Sequence, residues 1–219
     1  MKISSYTKRI ITYSTLACLL ILCIILSILS YLKKQPYTSS DLTIVQINDL
    51  QIPVKELYTY VLDKKAEYSE FIQTHDEYDP IHIWDIKYND DMTLGQFVIR
   101  ESIDSLIRDN VLYQEALARN ITLSTSQVIF YHDLAKKEFV QIEGPTQRNF
   151  GITQSLLNHI YEKKTLANLY HYNLYVDALI ASTPSTVHDV LENRYKELLD
   201  SYQITVNEEK IPCIVIEND

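Results

Sequence analysis

Glycine is almost missing. Gly95, Gly144 and Gly151 are the only three in 219 residues. Tight hairpins, phosphate-cradling loops and dinucleotide fingerprints all draw on glycine's freedom at positive φ, so this scarcity argues against them and for helices. Cysteine is scarce as well. Cys18 and Cys23 fall inside an apolar run and Cys213 stands alone in the rest, so no disulfide can form within the soluble part. Acid is absent from residues 1–40, which carry Lys2, Lys8, Arg9, Lys33 and Lys34. From residue 41 onward the balance reverses to 15 bases against 29 acids, a net charge of −14. Such a surface does not bind nucleic acid by neutralising phosphates. Its ordinary role is solvation, although it also tolerates cationic clients or a cationic cell wall.

The signatures of catalysis are missing too. There is no Gly-x-Ser-x-Gly elbow and no P-loop. His75, His82, His132, His159, His171 and His188 include no His-x-x-x-His pair and none lies beside a cysteine at metal spacing, so neither metal nor cofactor is expected. The carboxylate pairs Asp90-Asp91 and Glu208-Glu209 fall in polar turns. Paired acid–base work would need an apolar pocket around them.

What is present begins with residues 10–32, an uncharged apolar stretch that is long enough to cross a hydrocarbon core of about 30 Å as a helix. Tyr13 and Tyr31 sit near its ends, where aromatic rings favour the interface. A cleaved signal peptide would have a shorter apolar region and small residues before the cut, which Ile28-Leu29-Ser30 does not supply. Leu16-Ala17-Cys18 is a partial lipoprotein box, but apolar residues continue well past it. An uncleaved signal anchor fits best. Three bases precede the segment and two follow, which favours a cytoplasmic N-terminus by a small margin. The expected organisation is a cytoplasmic stub over 1–9, a transmembrane anchor over 10–32, a linker over 33–41 and an extracytoplasmic domain over 42–219.

Within that domain, β-branched residues on either side of Asn48-Asp49 predict a hairpin over 42–52. Pro53 suits the first turn of a helix that runs to about Gln73. Residues 74–92 read as irregular apart from Ile81–Ile86. A second helix is expected from about Thr93 to Arg119, with Asn120 as a left-handed cap. Ser124 and Gln127 form a capping box that opens a third helix to about Ile142. Glu143-Gly144-Pro145 breaks the chain. Thr153 caps a long fourth helix to about Ala181, which carries two apolar stripes. Leu156, Ile160, Ala167, Tyr170, Leu174 and Ala178 form one, and Tyr161, Leu169, Tyr172, Val176 and Leu179 the other. A helix that is apolar on two faces lies between neighbours. Thr183-Pro184 starts a fifth helix to about Ser201. Tyr202–Val206 and Ile211–Ile216 return to strand-like composition. The hairpin needs a further strand for stability, and this C-terminal segment is the obvious donor.

The run from Ile103 to Ser124, with Leu106, Ile107, Val111, Leu112, Glu115, Ala116, Ile121, Leu123 and Ser124 at its key positions, resembles the N-terminal chaperone domain of SurA and of the PrsA-type extracytoplasmic foldases. Asn120 stands where that family has glycine. Phe150-Gly151-Ile152-Thr153 with Leu157, and Thr183–Val187 with Tyr195, resemble its later elements. The similarity spans roughly 42–206. It implies a mainly α, multi-helix chaperone domain with a small sheet made from N- and C-terminal strands. Relatives often carry a parvulin prolyl-isomerase domain. Only 18 residues follow Ser201, so isomerase activity is not carried over and no enzyme is expected.

Trp84 is the one tryptophan, and its ordinary role is to pin an irregular segment onto the helices rather than to touch peptide. The 17 tyrosines have a bland origin in an A/T-rich genome and a functional one as amphipathic contacts for unfolded chains. Phe130, Tyr131, Phe139, Phe150, Tyr170, Tyr172 and Tyr175 are the candidate peptide-binding residues. The leading expectation is a membrane-anchored holdase or foldase whose partners are unfolded or secreted polypeptides, with homodimerisation left open. The alternatives are a partner-specific ectodomain of a membrane or secretion complex and a prolyl isomerase with an unrecognised site.

Overall fold

A computed structural model describes residues 41–73, 83–181 and 186–213. The expected anchor over 10–32, the His75 and His82 region and the proposed helix start at Thr183-Pro184 lie outside the described residues. Among the described residues there are six helices and a small antiparallel sheet, and no helix is long and apolar enough to cross a membrane.

The hairpin forms as read. β1 spans Thr43–Ile47 and β2 spans Leu50–Pro53, paired antiparallel with Ile47 opposite Leu50. Asn48 holds φ at 51°, a left-handed conformation that asparagine tolerates better than most residues. Its backbone N–H donates to the Gln203 carbonyl at 2.8 Å, and its side-chain Oδ1 accepts from the Gln203 N–H at 2.9 Å. That clasp seats β3, Ile204–Val206, against β1, giving the order β2-β1-β3 with Val45 opposite Val206. The C-terminal strand thus completes the sheet, as the instability of a lone hairpin requires. Only its first segment does so. Glu208–Cys213 is a 3₁₀ turn rather than a strand, and residues 214–219 are outside the described residues.

Pro53 ends β2 instead of opening the next helix, and α1 runs over Val54–Gln73. Ile83–Asp85 makes a single 3₁₀ turn. Its Trp84 is buried against Val98, Leu94, Ile86 and Tyr68, the pinning role. Gly95 allows a close approach here, because a Cβ would stand 3.1 Å from the Trp84 carbonyl oxygen, tighter than most such contacts.

α2 spans Leu94–Ala118 behind a reciprocal capping box between Thr93 and Gln96. Asn120, with φ at 57°, turns the chain out of it, and the Ile121 N–H reaches back to the Ala116 carbonyl at 2.9 Å. The Ser124–Gln127 box opens α3, Thr125–Gln141. The break at Glu143 is followed at once by a short helix, α4, over Gly144–Phe150, which the sequence reading missed. Pro145 sits in its first turn, where the absent N–H has no partner to lose. Gly151, with φ at 63°, ends it in the left-handed region. α5 spans Gln154–Ala181, with the Leu156 N–H held by Thr153 Oγ1 at 3.1 Å. α6 spans Val187–Asp200.

The main core joins the sheet, α1, the first half of α2 and the first half of α5 through Ile44, Ile47, Leu57, Val61, Leu106 and Ile160. A second core joins the end of α2 to α5 and α6 through Leu112, Ala116, Ala167, Tyr170 and Leu174, with Leu191 and Tyr195 against them. α5 therefore lies between neighbours, as its two apolar stripes require.

Candidate polypeptide-binding surface

The first stripe of α5 faces the core: Ile160, Ala167, Tyr170, Leu174 and Ala178 are all buried. One step of that stripe is polar. Lys163, between Ile160 and Ala167, is buried and donates to Glu56 of α1 and to Asn110 Oδ1 of α2 at 2.9 Å. Asn110 Nδ2 in turn donates to Glu56 Oε1 at 3.1 Å and to the Leu106 carbonyl at 2.8 Å. The triad satisfies the charges that burial would otherwise penalise, and it fixes the relative register of three helices. Nearby, burial pushes the Tyr60 hydroxyl pKa well up, with the charges of Asp109 and Glu56 adding. A substrate has no route to side chains this enclosed, so the triad is part of the scaffold.

The second stripe is covered along only half its length. α3 runs antiparallel to the first half of α5. His132 pairs with Glu162, and the Tyr161 hydroxyl donates to Glu138. A cleft of about 340 Å³ opens between them, lined by Gln127, Tyr131, Tyr161, Lys164, Thr165, Asn168 and Leu169. A second cleft, about 500 Å³, lies between α1 and the α3–α4 corner, with Tyr58, Leu62, Asp63, Glu138 and Ile142 in its walls. At about 1.5 Å per residue, α5 is roughly 42 Å long and α3 roughly 26 Å. Beyond Leu169, α5 therefore overhangs the start of α3, and the continuing stripe emerges into solvent. Tyr172 and Leu179 of that stripe are 62% and 43% exposed, Val176 between them is half-buried, and Tyr175, one turn from Tyr172 and Leu179, is 40% exposed. Ile180 beside them is 80% exposed.

These positions sort the candidate residues. Tyr172 and Tyr175 lie on the overhang. Tyr131 lines the first cleft, and its ring meets that of exposed Phe130 edge-on at 5.2 Å. Phe139 is partly buried against the main core. Phe150 and Tyr170, expected among the contact residues, are both buried. Phe150 is buried and stacks on Tyr58 with centroids 3.3 Å apart, and Tyr170 is 2% exposed with Arg119 over its ring. Neither offers a surface. Tyr170 sits on the stripe that faces the core.

Ile129, Val140, Leu179 and Ile180 are exposed apolar residues that the sequence reading did not single out as contacts. The signal for Ile129 and Val140 was their offset from the inward positions Ala135 and Phe139 on α3 and from Ile142 just after it. Comparison with known proteins returned no matching family model, curated protein or solved structure. Among the described residues no cluster of three or more His, Cys, Asp or Glu side chains is placed to hold a metal ion.

Proposed function

We propose that this chain is a membrane-anchored, extracytoplasmic chaperone of the SurA and PrsA type that holds non-native polypeptides without covalent chemistry. The observation that carries the reading is the exposed apolar row Tyr172, Tyr175 and Leu179, which lies on the C-terminal half of α5 beyond the residues that line the α3–α5 cleft. Exposed apolar surface of this kind marks interaction sites, and tyrosine supplies sequence-tolerant contact because its ring is apolar and its hydroxyl can stay wet. The clefts flanking α3 offer further apolar wall at the scale of single side chains.

The test is aggregation of a reduced secreted protein in the presence of the full-length chain in detergent. Suppression is expected near stoichiometric ratio, and it should weaken in the triple variant Tyr172→Ser, Tyr175→Ser, Leu179→Ser. Aggregation that proceeds unchanged at several-fold excess would discard the reading. The stripe is narrow and confined to one helix end, which also suits a dedicated partner in a membrane or secretion complex. Capture of a single stoichiometric partner, rather than many clients, would favour that alternative. A proline-peptide assay is expected to stay at the uncatalysed rate.

A further inference from the structure

The cleft between α1 and the α3–α4 corner is distinguished by its charge. Its walls combine apolar surface from Tyr58, Leu62 and Ile142 with the carboxylates of Asp63, Glu138 and Glu143. Its volume of about 500 Å³ falls within the range of about 300–1,000 Å³ typical of clefts that take a ligand. On an open helix face such acids would be ordinary solvated charge. Here they share a concave wall with an aromatic ring and two aliphatic side chains.

Two lysines stand against the three acids. Lys164 of α5 donates to Asp63 at 2.5 Å, and Lys65 lines the cleft with its ammonium 6.0 Å from the centre of the Trp84 ring. One negative charge is left over. Glu138 accepts from the Tyr161 hydroxyl, while the exposed Glu143 carboxylate, at the start of α4, caps no helix N–H and has no partner among the described residues.

We infer that this cleft takes the lysine or arginine side chains of client polypeptides, with the stem on Tyr58, Leu62 and Ile142 and the charged head beside Glu138 and Glu143. The inference rests on the chaperone reading, and it names the client side chains that one of the clefts selects.

Shape and charge agree on that occupant. Lysine and arginine carry a cation on a long apolar stem, and they lay the stem on apolar surface while the head stays wet. An apolar side chain in the same place would strip water from the carboxylates without compensation. A bare metal ion does not fit, because no three acidic, histidine or cysteine side chains among the described residues are grouped to hold one. Burial holds the Glu138 carboxyl above its ordinary range, with Asp63 adding, against the Tyr161 hydrogen bond and Lys164. A cation seated beside that carboxylate would bring it back down. The net charge of −14 from residue 41 onward draws cationic chains towards the domain, which speeds encounter without choosing a site.

The probe is an unstructured peptide of tyrosine, leucine, serine and lysine, compared with the same peptide acetylated on every lysine, which keeps the stem and removes the charge. Binding to the full-length chain in detergent is read by fluorescence anisotropy. The lysine peptide should bind about fivefold more tightly, the scale of a partly exposed ion pair, and added salt should shrink the preference. The double variant Glu138→Gln, Glu143→Gln should remove the preference and leave the affinity for the acetylated peptide unchanged. Glutamine at 138 keeps an acceptor for Tyr161. A second double variant, Glu197→Gln, Asp200→Asn, removes as much charge from α6, which lines neither cleft, and should retain the preference. Equal affinities for the two peptides, binding of neither, a full preference in the cleft variant, or a preference lost equally in both variants would overturn the inference. Aggregation suppression with equal peptide affinities removes the role of the cleft and keeps the chaperone reading. A lysine preference that depends on Glu138 and Glu143, without aggregation suppression, removes the chaperone reading and keeps the cleft as a site for cationic side chains.

Discussion

Lys163 and Glu56, 107 residues apart in sequence, form an ion pair whose side chains are only 4% and 8% exposed, with Asn110 bonded to both. Removing one partner leaves the other charge buried without compensation, which costs about 3–5 kcal/mol in comparable sites. Lys163→Met should therefore lower the urea midpoint sharply. The double variant Glu56→Met, Lys163→Met should recover part of that loss, because no charge is then left buried, while the Asn110 amide oxygen still loses its partner. Circular dichroism across a urea series checks both, and additive losses in the double variant would contradict the coupling.

The Asn48 turn separates two contributions. Asn48→Gly keeps the left-handed backbone but loses the acceptor for the Gln203 N–H, whereas Asn48→Ala loses both. A residue with a Cβ pays about 1–2 kcal/mol for that backbone conformation. The expected order of stability is Asn48, then glycine, then alanine, read as the shift in unfolding midpoint.

Alkaline stability should depend on Glu115. Its carboxylate accepts from the Tyr202 hydroxyl at 2.9 Å and from Tyr170 at 3.4 Å, joining α2 to α5 and to the end of α6. Burial, then the bond to Glu115, pushes the Tyr202 pKa to about 12. Tyrosine in the unfolded chain titrates near 10. The Tyr202 contribution is therefore complete below about pH 10 and is lost as pH rises towards about 12. Tyr202→Phe should flatten that part of the pH–stability curve. An unchanged slope would show that other tyrosines dominate it.

Phe150 and Tyr172 make a contrast that burial alone decides. Phe150→Ala should cost about 3–5 kcal/mol by opening a cavity against Tyr58, and Tyr172→Ser should stay within about 0.5 kcal/mol. If aggregation suppression tracks Tyr172 at unchanged thermal stability, client contact lies on the exposed face of the C-terminal half of α5.

The parts of this fold that were legible in the sequence are those set by local chemistry. Ser124 announces its helix through a capping box, Asn48 and Asn120 announce left-handed turns, and the β-branched residues around Asn48 announce a hairpin that needs a third strand. The illegible parts depend on partners far away in sequence. Lys163 occupies a core step of α5, yet in one dimension it looks like any solvated lysine. Only Glu56 and Asn110, brought to it by two other helices, make its burial tolerable. A lone charge filling a gap in an apolar stripe was the available signal. α4 was missed because Glu143-Gly144-Pro145 ends one helix and starts another in consecutive residues. The exposed apolar face of α5 was half legible. The second stripe of α5 was visible, but which half of it α3 covers is set by the relative lengths of two helices and the register fixed by His132 and Glu138.

The position of β1 also has a consequence for the order of events. It is among the first segments of the domain to be made, and it stands between β2 and β3. Its second ladder cannot close until Ile204–Val206 exists, so the clasp between Asn48 and Gln203 waits for some 155 residues of intervening chain. Closing a loop of that length is slow compared with forming helices, and until it closes one long edge of β1 is bare. During synthesis this protein therefore carries an unpaired strand edge of its own, an exposed state of the kind that invites mispairing.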